Sequence, residues 1–340
     1  MLAMFRDLGD KMKTIINRKP RSRPLGAALA VSVSLLLAVA AGGCGGTRDA
    51  DSGGKVKVAA SIPPLADFAR QVGGDRVEVE LLVPAGASPH TYEPTAGQTK
   101  FLSEARLLIL NGLELEAWAT DILDKMGKSG LTKVETADAI PEGDLVPAGE
   151  EEHGQKDEGH EKGEHQHGVY DPHVWLDPRL AVLQVQAIRD ALIEADPEHA
   201  REYRDNASAF IEGLEELDAW ICEQVDAFTH RKFVAFHSSW AYFAARYGLE
   251  MVGVVEELPG KEPSAADVAG LVDGIQREGV TVVFAEPQFS PRAAEAVAEA
   301  SGGAVKVAVL DPLGNPDDPE TETYVKLLRH DVERMRRALE

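Results

Sequence analysis

Four of the chain's ten histidines, His153, His160, His165 and His167, fall within one short run from Gly149 to Gly168, GEEEHGQKDEGHEKGEHQHG. The remainder of that run is glycine, acid and a few other polar residues, so it has no apolar face with which to join a core. Imidazole and carboxylate at this density make a supply of ligands suited to zinc, and also to nickel or copper. A solvated acidic linker could carry histidines incidentally. Four in so short a stretch point instead to metal handling.

Other residues able to ligate a metal stand just beyond strand-like segments. His90 follows RVEVELLVP, His237 follows KFVAF, Glu286 ends TVVFAE, and Asp311 follows VKVAVL; His173 lies in DPHVWLDP, just after the histidine-rich run. In open α/β sheets, ligands bind in the crevice beyond the carboxyl ends of the strands. Three histidines and a carboxylate from four segments could close a tetrahedral zinc shell with no open position. Each also has an ordinary structural role open to it. His90, between Pro89 and Pro94, could satisfy turn carbonyls, and His173 could fix the chain as it leaves the linker. His237 could pack under a helix capped by Ser238. Asp311 suits a turn with Pro312 and Gly314, and Glu286 before Pro287 could cap a helix. Trp175, Trp240 and Tyr242 read as core residues.

The elements that must position these residues alternate. KVKVAAS is predicted as a strand, PPLADFARQVGG as a helix stopping at Gly73-Gly74, then RVEVELLVP and RLLILN as strands and ELEAWATDILDKM as a helix. After the linker, Asp196-Pro197 reads as a helix start, and the stretch from there to Phe228 shows helical apolar spacing at Phe210, Leu214, Leu217 and Ile221. At about 1.5 Å per residue that helix would reach on the order of 45 Å, enough to join two domains. A second alternation follows: KFVAF, SSWAYFAARYG, LEMVGVVE, a helix from Ser264 to Glu278 capped by Ser264 and Asp267, TVVFAE, PRAAEAVAEASGG, VKVAVL, and a closing helix from about Pro319. The expected fold class is therefore α/β: two lobes, each with a mostly parallel sheet flanked by helices, joined by one long helix. The expected boundaries are a leader over 1–44, a tether over 45–54, an N-terminal lobe over 55–195, the linking helix over 196–228 and a C-terminal lobe over 229–340.

With 340 residues and 44% hydrophobic content, the chain can bury one large or two medium cores. Its formal net charge of -22 argues against nucleic acid, whose phosphates need clustered Lys and Arg. The N-terminus carries Arg18, Lys19, Arg21 and Arg23, then an apolar stretch from Leu25 to Ala41, then Ala41-Gly42-Gly43-Cys44. This pattern predicts an exported protein, with Cys44 as a lipidation site that anchors it to the membrane. Ala41 stands where such boxes more often place Leu, and an ordinary signal peptide is the other reading. Cys222 is then the one cysteine left, which excludes a disulfide framework and a cysteine zinc site; amid Leu217, Trp220, Ile221 and Val225 it reads as a buried small hydrophobe.

The segments PHTYEPT, DPHVWLDP, FHSSWAYFAARYGL, KEPS, FAEPQFS and VLDPLG occur in this order over about residues 55 to 337. In this they resemble the metal-binding solute-binding proteins of bacterial ABC importers, the zinc/manganese cluster A-I family. The resemblance implies two α/β lobes linked by a rigid helix, with the metal between them. It implies His90, His173, His237 and Asp311 as ligands, the last replaced by water in some zinc members, and Glu286 as a residue orienting a ligand histidine. Manganese members of the family place a carboxylate where this chain has His237, so zinc is the implied cargo and an ABC permease the implied partner. The His- and acid-rich run stands where zinc members carry such a loop, and its histidines are expected to form weaker auxiliary sites. A manganese or iron receptor on the same scaffold is the alternative. A zinc hydrolase is a further one, but the chain has no HExxH segment and a closed shell leaves no place for a reacting water.

Overall fold

The computed structural model describes residues 54–127, 130–148, 169–303 and 305–340. The expected leader, Cys44 and the four histidines of the Gly149–Gly168 run lie outside the described residues. The described residues belong to one unit, Ser52–Glu340, built around two sheets.

The first sheet contains β1 (Val56–Ala60), β2 (Val77–Leu81), β3 (Leu107–Leu110) and β4 (Thr132–Glu135), all parallel, in the order β2-β1-β3-β4. The second contains β5 (Lys232–Ala235), β6 (Glu250–Val254), β7 (Val282–Ala285) and β8 (Lys306–Val309), also parallel, in the equivalent order β6-β5-β7-β8. Parallel pairing demands a crossover between strands. The crossovers are α1 (Pro63–Gly73), α2 (Ala96–Glu104) and α3 (Ala117–Met126) in the first lobe, and α6 (Ala241–Tyr247), α7 (Ala265–Glu278) and α8 (Arg292–Ala300) in the second. Local chemistry starts several of them. Thr95 with Gln98, and Ser264 with Asp267, form reciprocal caps at the starts of α2 and α7.

Two further helices carry the connection. α4 (Pro178–Ala195) packs on α1 and on α5 (Ala200–Asp226), and α5 in turn packs on α9 (Tyr324–Leu339). Leu214, Leu217, Ile221 and Val225 form the buried stripe of α5. They belong to a single core cluster that runs from Val58 and Phe68 in the first lobe to Phe233 and Phe284 in the second, so α5 is packed into both lobes and is not a free strut. Truncating one of these leucines to Ala would cost about 2–5 kcal/mol.

Four features differ from expectation. The Asp196-Pro197 dipeptide starts only a 3-10 turn, Pro197–His199, and α5 begins at Ala200. Asp196 does not cap it, because its Oδ2 accepts from Tyr203 and lies 2.7 Å from His199 Nδ1. The similar dipeptide Asp177-Pro178 does start a long helix, with Asp177 Oδ1 accepting from the Arg179 amide at 2.8 Å; α4 went unassigned in the sequence, as did α2 and β4. The closing helix begins at Tyr324, not near Pro319, because Asn315 to Thr321 form their own turns and Thr323 supplies the cap. Finally, Cys222 is exposed. It follows Ile221 in the chain and is turned about 100° away from the buried stripe.

Candidate metal centre

β5 and β7 are neighbours, so the residues just past their carboxyl ends meet. This brings His237, two residues beyond β5, against Glu286, the first residue beyond β7; His237 Nδ1 lies 2.9 Å from Glu286 Oε2, and neither atom makes a hydrogen bond elsewhere. Glu286 Oε1 accepts from Ser239 Oγ at 2.9 Å. Ser238 does not act as a helix cap; its hydroxyl donates across to Asp171 Oδ2 at 2.7 Å.

His173 arrives from the other lobe. Its segment is held by Asn111, whose Nδ2 donates to Pro172 O at 2.7 Å, and by Tyr242, whose hydroxyl donates to Asp171 O at 2.8 Å. Asn111 opens a turn in which Gly112, Leu113 and Glu114 all have left-handed φ, at 90°, 53° and 63°. For the two that are not glycine this costs on the order of 1–3 kcal/mol each. The buried Glu116 carboxylate offsets that cost by accepting from the Asn111 and Gly112 amides and from Ser61 Oγ. Asp171 Oδ1 accepts from the His173 amide and lies 2.9 Å from His173 Nδ1. His90 stands on the loop between β2 and α2, which is pinned by Trp118 Nε1 donating to Pro89 O and by Gln98 Nε2 donating to Leu82 O.

The three imidazoles converge. His173 Nε2 lies 3.3 Å from His90 Nε2 and 3.1 Å from His237 Nε2, and one nitrogen from each ring lies within 4.8 Å of the other two. Zinc–nitrogen bonds of about 2.05 Å at tetrahedral angles set ligand nitrogens about 3.3 Å apart. His173 Nδ1 faces Asp171, so its Nε2 faces the other two rings, and lone pairs at this spacing repel unless a proton or a cation stands between. The cavity they border has a volume of about 10 Å³ and is also lined by Trp175, Gln288 and Phe289. That is room for an ion and not for an organic molecule. His173 and His237 are buried, as are Trp175, Trp240 and Tyr242.

The electrostatics favour a cation. Burial by itself would push the Asp171 carboxyl up, but the His173 ring, Ser238 and the His173 amide together hold it below the usual carboxylate range. Burial likewise opposes charge on His237, yet the Glu286 carboxylate and the more distant Asp171 and Glu256 raise its pKa above the ordinary imidazole value. Two carboxylates therefore stand behind two of the three rings.

The expected residues do not all join this cluster. Asp311 is outside the group of three; its Oδ1 accepts from Gln288 Nε2 at 2.7 Å and from the Leu313 amide at 3.0 Å. Sequence reasoning missed Asp171, Ser238, Ser239, Asn111 and Gln288. Only Asp171 had a usable signal, an acid two residues before a candidate ligand.

Fold and site together define a two-lobed α/β protein in which three imidazoles, two of them buried, converge closely enough to hold a metal ion. The profile of the family described as "Zinc-uptake complex component A periplasmic" matches residues 58–338, and the chain belongs to that family. The zinc-binding lipoprotein AdcA of Streptococcus pneumoniae (strain ATCC BAA-255 / R6) is 33% identical over 296 residues, 86% of this chain, which spans 57% of that relative's length. The manganese-binding lipoprotein MntA of Halalkalibacterium halodurans is 29% identical over 305 residues, 88% of this chain and 95% of the relative. Among solved structures, the crystal structure of ZnuA superposes with a TM-score of 0.71 at 32% identity, over 84% of this chain and 100% of that one.

Proposed function

We propose that this chain is an extracytoplasmic zinc receptor that binds one Zn2+ tightly through His90, His173 and His237 and delivers it to an ABC-type importer in the membrane. The observation that carries the reading is the convergence of three imidazole nitrogens at 3.1 and 3.3 Å around a space of about 10 Å³. Asp171 and Glu286 orient His173 and His237 and balance the charge of the bound ion. The likeness to the zinc-binding lipoprotein AdcA supports the same cargo, and membership of a family of zinc-uptake complex components supports a partner of that kind. Catalysis is disfavoured by a cavity too small for an ester or peptide beside the ion.

Zinc is preferred over manganese because three nitrogen donors suit the softer ion, whereas manganese takes oxygen ligands. The likeness to manganese-binding MntA makes the comparison worth measuring directly. Calorimetric titration should give one tight zinc site and weaker manganese binding, and His237→Ala or His173→Ala should abolish the tight site. Unchanged zinc affinity in either variant would remove this site from the reading.

Export and anchoring through a lipid on Cys44 follow from the leader pattern, and labelling with a radioactive fatty acid, lost in Cys44→Ser, tests the anchor. The histidines of the Gly149–Gly168 run provide additional, weaker and exchangeable zinc sites that either feed or sense the tight one. Because imidazole must be neutral to ligate, those sites should empty below about pH 6.5. Deletion of 150–167 should remove them and leave the tight site in place.

A further inference from the structure

Gln288 is placed so that its amide touches both the cavity and Asp311. Its Nε2 donates to Asp311 Oδ1 at 2.7 Å, while its Oε1 is buried without a hydrogen-bond partner, and the residue lines the cavity beside His173 and His237. Asp311 is held from its other sides as well. Its Oδ1 accepts from the Leu313 amide, and its own amide donates to Oδ1 of the buried Asp331 at 3.2 Å. Oδ1 of Asp311 is thus engaged by Gln288 and Leu313, and the carboxylate does not join the three imidazoles within 4.8 Å.

A buried amide oxygen without a hydrogen-bond partner is costly unless something at the cavity donates to it.

We propose that Gln288 is the positioning residue for the fourth place around zinc: it holds Asp311 off the metal and presents its own carbonyl oxygen to a water that completes the coordination. Asp311 then acts through Gln288, by fixing which way the amide faces, and the fourth ligand is exchangeable solvent. The proposal rests on the zinc-receptor reading of the three histidines.

The test compares the full chain with Gln288→Ala, Gln288→Met, Asp311→Asn, the double variant Gln288→Ala/Asp311→Asn, and His173→Ala. Zinc dissociation constants are measured by competition with a chromogenic chelator. The visible spectrum of bound Co2+, used as a zinc stand-in, reports the ligand set. Asp311→Asn keeps an acceptor for Gln288, and its effect on zinc affinity should be small beside the about 10–100-fold loss typical of residues that orient a ligand. It should leave the Co2+ spectrum unchanged. Gln288→Ala should weaken zinc by about tenfold and change the Co2+ spectrum as Asp311 is released toward the metal. The double variant should recover a spectrum without carboxylate ligation. Gln288→Met, of similar length but without the amide, should repeat the affinity loss if the alanine variant folds poorly. A large loss of affinity with an altered Co2+ spectrum in Asp311→Asn would make Asp311 a direct ligand and overturn the proposal. So would wild-type affinity and spectrum in both Gln288 variants. Zinc retained tightly by His173→Ala would instead sink the receptor reading on which the proposal stands.

Discussion

Asp171 Oδ2 accepts a hydrogen bond from Ser238 Oγ at 2.7 Å, across the boundary between the two lobes. The other oxygen of the same carboxylate lies 2.9 Å from His173 Nδ1. One side chain therefore orients the His173 ring and ties its segment to the residue that follows His237. The pose of that ring and the contact between lobes are coupled through it.

Asp171→Asn should accordingly raise the zinc dissociation constant by about 10–100-fold, as loss of a ligand's outer partner usually does. Ser238→Ala removes this one contact between lobes and leaves Asp171 beside His173, so it should cost about 1 kcal/mol of stability with a smaller effect on zinc. Chelator competition and thermal unfolding of the two variants separate these effects; equal zinc loss in both would contradict the division of roles.

The Glu116 carboxyl is pushed up to about 7, chiefly by burial and against its hydrogen bonds from Ser61 and the Asn111 and Gly112 amides. An unfolded Glu releases its proton near 4.5, so between about pH 4.5 and 7 the folded state holds more protons than the unfolded one. The contribution is fully present below about 4.5 and is lost as pH rises through 7, with a total on the order of 3 kcal/mol. Urea unfolding across this window should show the slope in the wild type and a flatter one in Glu116→Gln. Parallel slopes would mean that Glu116 is ionised throughout.

Asp218, at the middle of the buried face of α5, accepts from Arg179 Nε on α4 at 2.9 Å and from Arg246 at 3.3 Å and Tyr247 Oη at 3.1 Å on α6. Burial alone would raise its pKa, but Arg246 and Arg179 hold it below the usual range, so its contribution is present above about pH 4 and fades as pH falls. Asp218→Ala leaves Tyr247 and Arg246 without this acceptor and should cost roughly 2–3 kcal/mol, less than a fully buried pair because Arg179 is largely exposed. A shifted urea midpoint at unchanged slope against denaturant is the expected signature.

Gly314 has φ +78°, and a Cβ built there would stand 2.9 Å from the Thr321 carbonyl oxygen. Gly314→Ala should destabilise by about 1–3 kcal/mol. The displaced turn would also shift the Pro312 carbonyl, which accepts from Trp175 Nε1 at 2.7 Å, so zinc affinity should fall as well. Thermal unfolding and zinc competition on this one variant check both effects; unaltered zinc affinity would uncouple the turn from the site.

The alternation of strands and helices was legible because parallel strands buried on both faces are short apolar runs, and the helices between them carry caps and glycine stops. Ser264 with Asp267, and Gly73-Gly74, are where they were expected. Asp177-Pro178 opens α4 and Asp196-Pro197 opens only a 3-10 turn, because whether such a dipeptide starts an α-helix depends on what else the Asp side chain bonds. Cys222 misled in a related way: one position off a stripe is enough to reverse burial on a helix.

By itself the sequence determined the candidate ligand types, the acidic charge, the lobes and their order, and the three histidines that the fold brings together. Residue type and position relative to strand ends are local properties, and the fold class follows from their repetition. Only the tertiary structure decided which side chains stand behind these histidines. Asp171 and Ser238 are 67 residues apart, Ser239 and Glu286 are 47 apart, and Gln288 reaches Asp311 over 23. A hydrogen bond forms within about 3 Å, and no spacing along the chain encodes that distance between segments brought together by packing.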